Sequence, residues 1–263
     1  MLAQYLPDGP YHFSMAFQRG AIHDFWGPTI EHGEILRERK HWLAEDAPKY
    51  LALTEHAGEL LHEVKEIAIA KNTVSSDSSP SQLARFLGEN LEPDYLLLKR
   101  TNGDVRLVCG CVCFPSSWAL EEKIGRPIAE IHGVVPALNS NIGRPIQAFL
   151  DRLKPGVSWL RSNWGLSRSP ERNQHPSRKI ARLDSSVTLN QVYFRVEDQS
   201  LVALPRSNGI LFGIRLRIFP LSGYEKTAEG EKLAMALETM PEQMADYKGI
   251  ATARPRIVEL LRT

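Results

Sequence analysis

No apolar run in these 263 residues approaches the length that spans a bilayer. The opening M-L-A-Q-Y-L-P-D-G-P has neither a basic start nor the continuous hydrophobic stretch of a signal peptide. Membrane insertion and export are not expected, and the cytoplasm is the default address. Charge of one sign is also missing. The 32 Lys and Arg against 31 Asp and Glu leave a formal net charge of +1, too small an overall field to attract nucleic acid or an anionic membrane. Cysteine is scarce. Cys109, Cys111 and Cys113 alternate in V-R-L-V-C-G-C-V-C-F and fall on one face of a strand, where neighbours do not readily form a disulfide and no second ligand pair completes a zinc site. We read them as small buried hydrophobes in a reducing compartment. No G-x-G-x-x-G follows a strand, no P-loop occurs and no cysteine set suits a cluster, so the chain has no visible electron-entry module of its own.

At 43% hydrophobic content the chain can bury a sizeable core, and its length suits one domain spanning 1–263. The first thirty residues hold His12, Phe13, Phe17, Phe25, Trp26 and Gly27-Pro28, and read as an extended arm packed on the body. Helices are predicted over Glu31–Ala44 and after a Thr54 cap, followed by a short loop at Ser75–Ser81 and a short helix over Gln82–Asn90. Two β-rich runs flank Asn102-Gly103, a hairpin signal. Glu121–His132 reads as a helix interrupted at Gly125-Arg126-Pro127, Asn141–Leu153 as another, and V-S-W-L-R-S-N-W-G-L as a strand before a turn-rich insert. A second hairpin turns at Pro205–Gly209, with Val192, Phe194 and Val196 on one face and Tyr193, Arg195 and Glu197 on the other. Helical periodicity returns beyond Glu225. Hairpins with inserted and flanking helices give an α+β class.

The chemistry concentrates in C-F-P-S-S-W-A-L-E-E-K-I-G-R-P-I-A-E-I-H-G-V-V-P, Cys113 to Pro136, which delivers His132 to the end of a short apolar helix. A neutral imidazole in such a setting can be an axial ligand for haem iron, or simply a buried histidine. His175 in R-N-Q-H-P competes as a ligand, but Arg172 and Arg178 flank it and the loop looks solvated; a cysteine thiolate is a further alternative. His12 can line a pocket, whereas His56 and His62 read as solvated helix surface. Arg195 and Arg215 stand in the middle of β-rich runs, where a guanidinium can fork to a propionate or polarise oxygen. Glu197 can hold an amine cation or relay a proton. The bland alternative pairs Glu197 with Arg217 across a solvated face.

The Cys113–Pro136 block, R-S-N-W from Arg161 to Trp164, and F-R-V-E-D-Q-S-L-V-A-L-P-R-S-N-G-I-L-F-G-I-R from Phe194 to Arg215 agree in order and spacing with one family. Over about Pro10 to Pro220 the chain resembles the alpha subunits of haem-dependent oxidative N-demethylases. The resemblance implies a PAS-like antiparallel sheet that binds haem b and activates O2, oxidising a small amine with electrons from a separate flavin and iron–sulfur reductase. It implies His132 as the iron ligand, Trp164 and Arg215 at the cofactor, and Arg195 and Glu197 as catalytic groups. A haem sensor without turnover, a natural-product tailoring oxygenase and a haem-free member are the alternatives. This chain departs from the family at Val134, Asp198, Gly213 and Arg217, and those departures bear on the substrate more than on the cofactor.

Overall fold

The fold is described from a computed structural model, which covers residues 2–13, 17–68, 78–101, 104–134 and 148–263. Asn102-Gly103, residues 75–77 of the serine-rich loop and most of the helix expected at Asn141–Leu153 lie outside the described residues; residues 148–151 are helical.

Among the described residues, seven antiparallel strands form one sheet: β1 (Gln18–Gly20), β2 (Leu51–Leu53), β3 (Asp94–Thr101), β4 (Asp104–Cys111), β5 (Ser158–Ser167), β6 (Tyr193–Leu204) and β7 (Gly209–Pro220), in the order β1-β5-β6-β7-β3-β4-β2. The class is α+β, as expected. Both predicted hairpins form. Thr101 faces Asp104 across the first, and β6 and β7 pair from Tyr193↔Pro220 to Leu204↔Gly209 in the second. The tip of the second hairpin is clamped by buried Glu63 of the helix Gly58–Ala68, which accepts from the Ser207 amide at 2.8 Å and the Ser207 hydroxyl at 2.7 Å.

The registers sort the side chains of β6 onto two faces. Phe194, Val196, Ser200, Val202 and Leu204 share one face with Leu166, Trp164 and Leu211. This face buries two apolar clusters. One lies under the helices His32–Tyr50, Gly58–Ala68 and Pro80–Asn90, the other under the carboxy-terminal helices Ala228–Glu238, Glu242–Tyr247 and Arg254–Arg262. The opposite face carries Arg195, Glu197, Gln199, Leu201 and Ala203 with Arg161, Asn163 and Trp159, and holds a third cluster around Leu96, Leu107, Leu120 and Ile210. All three cysteines are free and buried, and burial pushes the Cys109 and Cys113 thiols up, so they stay protonated. No helix among the described residues is long and apolar enough to cross a membrane.

The expected helix at Glu121–His132 is corrected to turns followed by a short helix, Ile128–Ile131. Gly125 adopts φ 81°, and its amide donates to the Leu107 carbonyl at 2.7 Å, while the Leu107 amide donates to Arg126 at 3.1 Å. The Gly-Arg-Pro segment thus pairs with the outer edge of β4 instead of continuing a helix, and Pro127 starts the short one.

Candidate functional site

His132 caps the helix Ile128–Ile131 and begins a single 3-10 turn. Ile128 and Ile131 pack against the third cluster, as do Trp118, Phe149, Trp159 and Phe212. Burial lowers the His132 pKa, and the positive charge of Arg161 on β5 lowers it further. The ring is therefore neutral at physiological pH, with a lone pair available to a metal.

Around Glu197 the same face gathers charge. Asn163 lies directly opposite Glu197, and Arg161 one diagonal step away opposite Gln199. Burial lowers the pKa values of Arg195 (to about 10), Arg161 and Lys248 (to about 8), and in each case the Glu197 charge opposes the fall. One carboxylate thus serves three cations. Gln199 donates to Glu197 Oε2 at 3.2 Å. Arg195 donates to the carbonyls of Glu171 (2.8 Å) and Arg172 (3.0 Å), while its Nε is buried with no partner among the described residues. Trp159 Nε1 is likewise a buried donor without a partner. Buried donors left open in this way mark places where a ligand acceptor is expected.

Trp164 and Arg215 lie on the opposite face from Glu197. Trp164 stacks on Phe194 with centroids 5.4 Å apart and meets Tyr11 edge-on at 6.2 Å. Arg215 donates to the carbonyls of Phe25 (2.5 Å) and Gly27 (2.7 Å) and reaches Glu92 at 3.3 Å, fastening the amino-terminal arm. At Gly213 an added Cβ would come within 2.6 Å of Phe25 and Trp26, so the glycine leaves room for the arm's aromatic pair. The Glu197–Arg217 pairing is corrected as well: Arg217 is ion-paired to Asp198, and Glu197 faces Leu216. His175 is also unlike its sequence reading. It is buried at 4% exposure, with Nδ1 2.9 Å from Ser177 Oγ and Nε2 3.1 Å from Glu121, because a carboxylate distant in sequence closes over it. His56 and His62 are exposed, as read.

Sequence reasoning did not single out Lys248. This partly buried lysine donates to the Trp164 carbonyl at 2.5 Å and to Asn163 Oδ1 at 3.3 Å. It follows the helix Glu242–Tyr247 and precedes Gly249 at φ 66°, a helix-end signal that marks its place. Between the arm and β5 a cleft of about 250 Å³ is lined by Tyr5, Tyr11, His12, Phe13, Arg161 and Lys248, among others.

A family model described as haem-dependent oxidative N-demethylase, alpha subunit-like, matches residues 30–258. The chain belongs to this family. The matched span includes His132, Arg161, Trp164, Arg195, Glu197, Arg215 and Lys248, while the arm residues that close the cleft precede it. The family's name marks haem-dependent oxidative chemistry and an alpha subunit. The site suits such a group: a neutral imidazole, an apolar wall of Ile128, Ile131, Phe149 and Trp159, and the unpartnered donors of Trp159 and Arg195 on the same face. Among the described residues, no group of three or more His, Cys, Asp or Glu is placed to hold a metal ion, and axial ligation needs a single histidine.

Proposed function

We propose that the chain is a haem-dependent oxygenase that N-demethylates a small amine, acting as one PAS-like haem-binding domain with a separate flavin and iron–sulfur reductase as electron source. The observation that carries this reading is His132, held neutral by burial and by Arg161 against an apolar wall in a chain of this family.

His132 would hold the iron of haem b, and the haem when bound supplies O2 activation. Overall, an N-methyl amine, O2, two electrons and two protons give the demethylated amine, formaldehyde and water. Glu197 orients the substrate ammonium and accepts a proton at its carboxylate. Arg195 remains charged at neutral pH, and its open Nε can donate to an oxygen acceptor. Phe17 and Phe149, stacked at 4.4 Å, exclude water from the face beside Trp159. Trp164 forms the outer wall at the edge of β5. Arg215 takes no step here: one guanidinium nitrogen is held by the arm carbonyls of Phe25 and Gly27, on the face away from Glu197.

The test is an absorption spectrum of the purified chain with and without added haemin. A Soret band is expected in the wild type and lost in His132→Ala, and a pyridine haemochrome identifies haem b. A band unchanged in His132→Ala moves the ligand to His175 or a cysteine. Formaldehyde release with O2 and an added reductase separates an oxygenase from a sensor.

A further inference from the structure

The cleft between the arm and β5 has a composition that the proposed chemistry alone does not require. Its walls are Tyr5, Leu6, Tyr11, Phe13 and Trp164, and its charged groups are Arg161 and Lys248. No carboxylate among the described residues lines it. Because β1 covers β5 only at Ser158–Leu160, the cleft opens on the strand's outer edge, and residues from both faces reach it.

The lysine is the informative member. An ammonium has three donors; two acceptors, Trp164 O and Asn163 Oδ1, are placed on Lys248, and the residue lines the cleft. It also stands 5.4 Å from the Trp164 ring centroid, and no carboxylate among the described residues approaches within ion-pair distance. Glu197 acts on it only through space, and that single charge is already shared with Arg161 and Arg195. Lys248 thus carries its positive charge with no carboxylate of its own among the described residues. A partly buried cation of this kind is stabilised by an anion that arrives with the ligand.

We infer that this cleft binds the carboxylate of a ligand with an apolar body, with Lys248 and Arg161 as its cationic partners. Taken with the proposed function, on which this last step rests, the substrate is an amine that also carries a carboxylate, of the N-methyl amino acid class. Its ammonium is directed to Glu197 and its carboxylate to Lys248.

The test uses three probes of similar size and different charge: benzoate, benzyl alcohol and benzylamine, titrated calorimetrically into the full chain at neutral pH and low salt. Benzoate is expected to bind at least tenfold more tightly than the other two. Lys248→Met should weaken benzoate at least tenfold, and Lys248→Arg should recover most of the affinity. Equal or tighter binding of benzylamine overturns the inference, as does a folded Lys248→Met with wild-type benzoate affinity. If Lys248→Met does not fold, Arg161→Gln carries the same criterion, and the wild-type ranking decides without any variant. The haemin spectrum reads the earlier proposal independently. Benzoate preference without a Soret band leaves the cleft assignment standing and sinks the oxygenase reading; a Soret band without benzoate preference does the reverse.

Discussion

Two groups of buried charge sit in the same sheet and have opposite characters. Beneath the helices of one face, Asp94 takes an ion pair from Arg39, the Cys113 amide at 2.8 Å and the Phe114 amide at 3.0 Å. Arg39 completes itself on the Gly88 carbonyl at 2.7 Å and Cys111 Sγ at 3.3 Å. That cluster is closed, with one cation, one anion and a partner for each guanidinium nitrogen. Across the sheet, the Glu197 charge is shared by Arg161, Arg195 and Lys248, and donors on Arg195 and Trp159 have no acceptor among the described residues. Completeness is what separates a group that holds the fold from one prepared for a ligand.

Breaking the closed cluster should have the largest effect on stability. Asp94→Asn leaves the Arg39 guanidinium buried without a counter-charge and should cost about 3–5 kcal/mol in denaturant unfolding. A loss below about 1 kcal/mol would erase the contrast between the two clusters. Glu197→Gln should cost less, about 1–2 kcal/mol, because it removes a counter-charge felt by three cations but breaks no close ion pair among the described residues and few protein hydrogen bonds. It should lower kcat/KM for demethylation by about 10²-fold through loss of the proton acceptor; an unchanged rate removes Glu197 from the chemistry. The smallest effect is on the pH dependence of stability. The Lys248 pKa falls from its ordinary 10.5 to about 8 in the folded chain, so between those values the unfolded chain binds more protons and stability rises with pH. The difference in stability between wild type and Lys248→Met should show that rise, and a flat difference would place Lys248 in ordinary solvent.

Much of the sheet was legible because its signals are local. Alternation over Tyr193–Val196 and the turn residues around Asn208 give the long hairpin and its two faces without any distant contact. The neutral His132 also followed from its apolar neighbours. Residues whose environment comes from far along the chain were not legible. The setting of His175 depends on Glu121, and that of Lys248 on Asn163 and Trp164, which are 85 and 84 residues away. Gly125-Arg126-Pro127 reads as a helix break, but its pairing with β4 depends on a register that periodicity does not carry. The cations outnumbering Glu197 escaped notice for the same reason: Arg161 lay in a quoted motif, but nothing local set it beside His132.

Beyond Leu160 the outer rungs of β5 face no further strand among the described residues, which is the arrangement that invites a second chain to add on. The Lys248 ammonium occupies the Trp164 carbonyl on that margin. A positive charge there makes strand-to-strand docking unfavourable, so the residue that faces incoming anions also acts as a gatekeeper against self-association. Neutralising it would expose the molecule to aggregation at the same stroke as it emptied the cleft of charge.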